Sequence, residues 1–177
     1  NLIITVANIN HRKGHISYLA VIKKLIKDFK SIRFMFIGRD DLNGLVQNEI
    51  KKLQLENHIE IVGFKKDVDY YYKNAKICVL PSTWGEGSPT SIIESMSWGT
   101  PVISYDVGGC AEIIKNNFDG FIVPRNNSEV LYQSIKKLLT NRQLLEKMSK
   151  NGLINSKKYL LENCTNQHKK VFNQLIN

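Results

Sequence analysis

The feature that most constrains the fold is a regular alternation of short apolar runs and longer amphipathic stretches. The apolar runs are rich in β-branched or aromatic residues and are bounded by Gly, Pro, Asn or Asp, which is typical of buried strands. We predict strands at Leu2–Ala7, Arg33–Gly38, Ile59–Gly63, Ile77–Pro81, Pro101–Tyr105 and Gly120–Val123. Amphipathic helices are predicted between them at His15–Phe29, Leu42–Leu55, Val68–Ala75, Pro89–Trp98, Cys110–Lys115 and Ser128–Leu139. This alternation predicts an α/β fold of three α/β/α layers around a six-stranded, mainly parallel sheet, with ligand sites at the carboxyl ends of the strands.

The pattern changes after Leu139. Residues 140–177 contain no predicted strand and indicate a C-terminal helical segment of two helices, broken near Gly152 or near Leu161–Asn163. We expect residues 1–177 to form one domain. The chain opens with Asn1 and passes directly into a core strand, which is typical of a piece of a longer polypeptide.

Charge and cysteine content narrow the function classes. Lysine and arginine number 25 against 16 acidic residues, giving a net charge of +9. Such a charge suits nucleic acid, an anionic membrane face or phosphorylated small molecules, and it also suits a lysine-rich solvated surface. The lysines occur in separated pairs rather than one block, which disfavours a nucleic-acid groove. The three cysteines are far apart and form no disulfide or zinc pattern, which indicates a reducing compartment.

One stretch, Trp84–Val102, places carboxylates on both sides of a predicted helix start. Ser88 is a natural N-cap and Pro89 suits the first helical position, so Glu86 precedes the helix and Glu94 lies within it. A helix start favours anions and hydroxyl-rich groups, and two separated carboxylates could bind two diols. The alternatives are that Glu86 only favours the helix dipole and that Glu94 is an ordinary surface residue.

Several segments in this order resemble one known family. The chain reads Glu86-Gly87 followed by Glu94-Ser95-Met96-Ser97-Trp98-Gly99-Thr100-Pro101-Val102, then Gly108-Gly109-Cys110-Ala111-Glu112 and Asp119-Gly120-Phe121-Ile122-Val123-Pro124. This resembles the E-x7-E pattern and the following segments of the family 4, or group 1, retaining glycosyltransferases. The resemblance covers essentially the whole chain.

The resemblance implies half of a GT-B fold, in which two Rossmann-like domains face each other across a cleft. This chain resembles the C-terminal, donor-binding domain. By resemblance, Glu94 binds the ribose hydroxyls and Glu86 lies by the donor sugar, where it is a catalytic candidate. The backbone matching Gly87, Ser88, Pro89 and Thr90 then lines the sugar and the diphosphate.

A candidate phosphate loop, Ala7–Gly14, follows the first strand and opens a helix. Lys13 matches the family's phosphate-binding lysine and is the second catalytic candidate. Asn8 stands where the family usually has arginine, and asparagine brings no charge to a diphosphate. Arg12 and Arg39 are the candidates to supply that charge.

The remaining candidates have competing interpretations. In the family the turn at Phe64 passes the nucleotide base, but Phe64 could equally pack in the core. Asp67 and Asp69 spell D-x-D, yet Asp67 is more simply a helix N-cap, so we expect no metal site. Solvated loop positions are expected for His11 and His15.

The implied activity is transfer of a sugar, with retention, from a nucleoside-diphosphate sugar (UDP- or GDP-linked) to an acceptor hydroxyl. No metal or other cofactor is obligatory in the family. The glycan or lipid-linked acceptor belongs to an N-terminal domain absent from this chain, so we expect the fragment alone to be inactive. Surface glycan synthesis at the cytoplasmic face, with peripheral membrane contact, is the expected setting.

The alternative to a transferase is a non-catalytic nucleotide-diphosphate-binding or regulatory module. Dinucleotide oxidoreduction is disfavoured because no G-x-G-x-x-G follows the first strand. Nucleic acid is not an expected partner, because only the overall charge points to it.

Overall fold

The computed structural model describes residues 1–176 and contains the predicted sheet. The strands are β1 Leu2–Val6, β2 Arg33–Ile37, β3 Ile59–Gly63, β4 Ile77–Leu80, β5 Val102–Tyr105 and β6 Gly120–Val123. They form one sheet in the order β3-β2-β1-β4-β5-β6, and every neighbouring pair is parallel. The α/β prediction is confirmed, with each strand boundary within one residue of its predicted position.

Eight α-helices accompany the strands within residues 1–176. They are α1 His15–Asp28, α2 Leu45–Lys52, α3 Asp69–Asn74, α4 Thr90–Ser97, α5 Cys110–Ile113, α6 Ser128–Thr140, α7 Arg142–Ser156 and α8 Leu161–Ile176. Helix α2 is shorter than predicted because the Asp40 carboxylate accepts hydrogen bonds from the amides of Leu42 and Gly44 and folds them into a turn. No helix in the described part of the chain combines the length and the apolar character that a membrane span requires.

The apolar side chains form two buried clusters, one on each face of the sheet. Helices α1, α2 and α6 contribute to the first cluster, and α3, α4 and α5 contribute to the second. Strands β1, β4, β5 and β6 are buried on both faces, which explains why they read as continuous apolar runs, whereas the edge strand β3 exposes Glu60. The result is the predicted three-layer arrangement.

The C-terminal segment is helical, as predicted, but it does not break at Gly152. Helix α7 runs through Gly152, which is buried because it packs against Met96 of α4; a Cβ there would lie 3.6 Å from Met96. The chain instead leaves the helix through a short 3-10 turn at Lys157–Tyr159 and an extended Leu160. This break comes immediately before Leu161, the second position that the sequence indicated; the predicted end at Asn177 lies outside the described residues.

The strand order reverses between β1 and β4, and this reversal positions the site. In open parallel sheets, the loops that leave two such strands diverge and create a crevice at their carboxyl ends. Gly14, at the start of α1, approaches the loop after β4 so closely that a Cβ would overlap the carbonyl of Pro81. The amide of Thr83 also donates to the carbonyl of Arg12 at 2.7 Å, so the two loops are joined by their backbones.

Candidate functional site

A cleft of about 430 Å³ opens at the carboxyl ends of β1 and β4. It is lined by the loop after β1, the loop after β4 and the first half of α4: Val6, Ala7, Asn8, Asn10, Arg12, Lys13, Glu86, Ser88, Pro89, Thr90, Ser91 and Glu94. Of the residues predicted for the site, only Gly87 and Phe64 are not in this lining. Residues that are far apart in sequence therefore line the same cleft where the strand order reverses; Asn8 and Glu86, for example, are 78 positions apart.

A larger depression of about 500 Å³ lies at the opposite end of the strands, beside the amino ends of β2 and β3. Its lining includes Arg33, Glu56 and His58, and none of the predicted site residues. We place the functional site in the smaller cleft because ligands of parallel sheets bind at the carboxyl ends of the strands.

Glu86 is a buried, ion-paired carboxylate rather than a free charge at a helix start. Its side chain is 5% exposed, and its Oε1 lies 2.6 Å from Lys13 Nζ. Ser82, at the end of β4, donates a second hydrogen bond to the same oxygen. Burying a carboxylate is costly unless it is paired and hydrogen-bonded, and here both conditions hold. The two catalytic candidates of the sequence are thus in direct contact.

Two glycines fix the loop that carries Glu86. The amide of Gly109 donates to the carbonyl of Glu86 at 3.1 Å. A Cβ at Gly108 would overlap the Glu86 carbonyl, and one at Gly109 would overlap the Gly87 carbonyl. Gly87 itself is exposed, but its carbonyl lies against Gly109, and the neighbouring Ser88 lines the cleft. The Gly108-Gly109 pair seen in the sequence therefore allows its backbone to lie close to the backbone of Glu86 and Gly87.

Glu94 lies partly buried on α4, and only one of its carboxylate oxygens is engaged. Tyr72 donates to Oε2 at 3.1 Å, while Oε1 has no hydrogen-bond or ion-pair partner among residues 1–176. The carboxylate therefore has a free oxygen at the cleft, and Glu94 is not an ordinary surface residue.

The start of α4 differs from its prediction by one residue. The helix begins at Thr90 with Pro89, not Ser88, as N-cap residue, and no side chain caps its first turn. The segment before Pro89 is held by the hydrogen bond between the Gly109 amide and the Glu86 carbonyl. Ser88 is exposed and lines the cleft. An uncapped helix start facing a cleft favours an anionic ligand. The helix ends at Ser97, and Gly99 follows it with a positive φ of 71°, as expected of a glycine that stops a helix.

The loop after β1 presents Asn8, Arg12 and Lys13 to the cleft. The Asn8 side chain accepts a hydrogen bond from the Arg39 amide at 3.2 Å, which ties the loop to the end of β2. Arg39 itself pairs with Asp41 at 2.7 Å. Of the two arginines predicted to compensate for Asn8, Arg12 is the one that lines the cleft.

Trp84 is a rim residue that the sequence reasoning did not assign. The Arg12 guanidinium lies over its indole ring, 5.7 Å from the ring centroid. This contact positions the arginine beside Lys13 through a cation–π interaction. A tryptophan next to a glycine in a loop was the available sequence signal. It did not reveal the contact, because Trp84 and its partner Arg12 are 72 positions apart.

Two other interpretations are corrected. Core packing of Phe64 is wrong, since its side chain is 71% exposed after β3. Asp67 is not the N-cap of α3; Val68 has that position, and Asp67 accepts from the Asp69 amide at 3.0 Å. No group of three or more His, Cys, Asp or Glu side chains within residues 1–176 could hold a metal ion.

His15 is buried rather than solvated. It is 1% exposed and packs edge-on against Phe36, with a centroid distance of 5.0 Å. Neither ring nitrogen has a hydrogen-bond partner in the described chain. Burial, and to a smaller extent the nearby charge of Lys13, lowers the pKa of His15 to about 4. The histidine is therefore neutral at pH 7 and supports the loop from below. His11 is exposed, as predicted.

Comparison with known proteins identifies the family of this chain. Residues 1–154 match the family described as glycosyl transferases group 1. The chain belongs to this family, and the resemblance found in the sequence is confirmed.

Three similar proteins define the match more closely. An Escherichia coli UDP-Gal:alpha-D-GlcNAc-diphosphoundecaprenol alpha-1,3-galactosyltransferase is 32% identical over 119 residues, covering 67% of this chain and 30% of that enzyme. The C-terminal domain of a group 1 glycosyl transferase from Francisella tularensis superposes with a TM-score of 0.80 at 22% identity, covering 90% of this chain and 87% of that one.

The third is Anabaena HepE, solved in complex with UDP, which superposes with a TM-score of 0.87 at 20% identity. The match covers 98% of this chain and 48% of HepE. The chain thus spans about half, or less, of the full-length proteins it matches, and its fold is that of the C-terminal domain of GT-B glycosyltransferases.

Proposed function

We propose that this chain is the donor-binding domain of a retaining glycosyltransferase, which moves a sugar from a nucleoside-diphosphate sugar to an acceptor hydroxyl. One observation carries the proposal. Lys13, Glu86 and Glu94 converge in one cleft at the reversal of strand order, beside an uncapped helix start. This combination offers an anion site flanked by two carboxylates.

The cleft has two distinguishable ends. We assign Glu94 to the ribose, because its free oxygen can accept hydrogen bonds from a diol. Glu86 is assigned to the sugar, and Phe64, at the end of β3, to the base. Between the two carboxylates, the start of α4 with Arg12 and Lys13 provides positive potential for the diphosphate. Asn8 contributes a neutral amide to this middle section.

The proposed chemistry is charge stabilisation. As the sugar–phosphate bond breaks, negative charge grows on the diphosphate and positive charge grows on the sugar. Lys13 and the amides at the start of α4 stabilise the first, and the Glu86 carboxylate faces the second. The leaving phosphate oxygen then takes the proton of the acceptor hydroxyl on the same face, which preserves the anomeric configuration. This scheme uses groups of the chain and requires no divalent ion.

The whole protein is proposed to act in surface glycan synthesis. The E. coli relative is named for a UDP-galactose donor and a diphosphoundecaprenol-linked acceptor, which favours a UDP-sugar and a lipid-linked or glycan acceptor here. The acceptor would be bound by a second domain, and the net charge of +9 suits peripheral contact with an anionic membrane face.

A non-catalytic nucleotide-diphosphate-binding module is the second candidate, and Asn8 favours it. Asn8 is neutral, and the charge of Lys13 is already paired with Glu86, so within residues 1–176 Arg12 is the cation of the cleft lining that has no ion-pair partner. Such a module would bind the nucleotide and show no preference for its sugar conjugate.

Calorimetric titration with UDP, GDP, ADP and their glucose or mannose conjugates tests the proposal. We expect one nucleotide to be selected and Glu94→Ala to weaken it at least tenfold, about 1.4 kcal/mol. Binding that ignores Glu94→Ala would contradict the ribose assignment. Equal binding of a nucleotide and all of its sugar conjugates would favour the non-catalytic module.

A further inference from the structure

The hydroxyl group of Tyr72 is the only polar group of the described chain that contacts the carboxylate of Glu94 directly. Tyr72 lies on α3, is completely buried, and donates to Glu94 Oε2 at 3.1 Å. The backbone carbonyl of Ser91, 3.3 Å away, shares the single proton of this hydroxyl as the more distant acceptor. A phenylalanine would fill the same core position without a polar atom to satisfy, so the hydroxyl group itself needs an explanation.

Helix α3, which carries this hydroxyl, is fixed by contacts with Trp98 and Thr100 at the end of α4. Thr100, just after α4, donates from its Oγ1 to the carbonyl of Tyr72 at 2.7 Å. Trp98 donates from its indole to Asp69 at 2.9 Å, and Lys73 Nζ lies 4.0 Å from the centroid of the Trp98 ring. Helix α3 is therefore fixed to the C-terminal end of α4, while its tyrosine reaches back to the first half of that helix.

A glutamate side chain has several rotatable bonds, and ordering it on ligand binding costs conformational entropy. A donor already placed at one oxygen restricts the rotamers before the ligand arrives and leaves the other oxygen for the ligand. Preorganisation of this kind improves affinity without adding a contact to the ligand. Burial, as the largest cause, also raises the pKa of Tyr72 above its usual value, so the hydroxyl remains a donor at physiological pH.

We propose that Tyr72 is a positioning residue for donor binding, which holds Glu94 in the orientation that receives the ribose of a nucleoside diphosphate. The proposal rests on the proposed function, because it requires that Glu94 contacts the nucleotide. It assigns a binding role to α3, a six-residue helix that contributes no residue to the lining of the cleft.

The test is a double-mutant cycle between Tyr72→Phe and Glu94→Ala. The ligand is whichever of UDP, GDP and ADP the unmodified domain binds most tightly, and affinity is measured by calorimetry. Tyr72→Phe keeps the ring that fills the core and removes only the hydroxyl. Tyr70→Phe is the matched control, because Tyr70 lies on the same helix with its side chain exposed. Thermal unfolding of each variant confirms that it is folded at the titration temperature.

We expect Tyr72→Phe to weaken nucleotide binding three- to tenfold and Tyr70→Phe to leave it unchanged. In the Glu94→Ala background, Tyr72→Phe should have no further effect, since the group it positions is gone. An equal loss in both backgrounds, or no loss in either, would overturn the proposal. A Glu94→Ala variant that binds normally would instead overturn the ribose assignment on which the proposal depends, so the two failures are distinguishable.

Discussion

The two carboxylates of the cleft are held in opposite ways. Glu86 is buried, ion-paired with Lys13 and bonded to Ser82. Glu94 is partly exposed, with one oxygen bonded to Tyr72 and the other open to the cleft. If the cleft binds a nucleotide-sugar donor as proposed, the difference predicts that residues at the Glu86 end affect both folding and binding, whereas residues at the Glu94 end affect binding alone. Substitutions at the first end should reduce stability, and those at the second should reduce binding alone.

The largest expected effect is that of Gly108→Ala at the Glu86 end. Gly108 has a positive φ of 53°, and a Cβ there overlaps the Glu86 carbonyl, so the backbone of the cleft loop must move. We expect the free energy of unfolding to fall by about 3 kcal/mol or more, measured by chemical denaturation.

Gly44→Ala is the control for this substitution. Gly44 also has a positive φ, 82°, but no atom lies within 4 Å of the position of its Cβ. The loss there should be about 1 kcal/mol, from backbone strain alone. Equal losses at the two glycines would show that the close approach of the Glu86 loop is not a source of stability.

Lys13→Ala should have the next largest effect. The Lys13–Glu86 pair has a length of 2.6 Å and the exposed Lys24–Glu129 pair one of 2.5 Å, so the pairs differ mainly in burial. Removing Lys13 leaves the buried Glu86 without a cation, which should lower the free energy of unfolding by about 1–3 kcal/mol. Lys24→Ala should cost less than about 0.5 kcal/mol. Similar losses in the free energy of unfolding for the two variants, measured from denaturation curves, would contradict the proposal that the Lys13–Glu86 pair stabilises the fold.

His15, buried next to the loop that carries Lys13, should make the stability of the domain depend on pH. Burial lowers the pKa of His15 to about 4 from the unfolded value of 6.5, so between these pH values the unfolded chain binds more protons than the folded one. The contribution of His15 to stability is therefore present above pH 6.5 and is lost as the pH falls towards 4, by roughly 1 kcal/mol per pH unit.

The difference in stability between the unmodified domain and His15→Leu isolates this contribution. Leucine has a similar volume and no polar atom, so the variant should be at least as stable at pH 7 and progressively more stable, relative to the unmodified chain, at lower pH. Parallel stability curves between pH 4 and 7 would contradict the burial of a neutral histidine.

Much of the fold could be predicted because it depends on local patterns. The central strands are buried on both faces, so each reads as a short apolar run with turn residues at its ends. Of the two predicted positions for the C-terminal break, the one near Leu161 is confirmed and Gly152 is not, because a glycine in a helix can serve a close helix–helix contact, here with Met96, as well as an end. Only the tertiary packing distinguishes the two uses.

The charged residues of the site could be predicted, but their supports could not. Glu86, Glu94 and Lys13 lie in a spaced motif that resembles a family pattern. Tyr72 contacts Glu94 from another helix, and the Ser82 hydroxyl reaches Glu86 four positions further along the chain. A buried tyrosine or serine carries no sequence signal of its partner. His15 was misplaced for the same reason, since its position beside a loop did not reveal the sheet residue Phe36 beneath it.

The most direct test of the account compares two ligands on two variants. The selected nucleoside diphosphate and its sugar conjugate are titrated into Glu86→Gln and Glu94→Ala. We expect Glu94→Ala to weaken both ligands at least tenfold and by the same factor. Glu86→Gln should leave the affinity for the nucleoside diphosphate unchanged or raise it, because Lys13 is released from its ion pair, and should weaken only the sugar conjugate. The same pattern of losses for both variants would contradict the assignment of the two carboxylates to different parts of the donor.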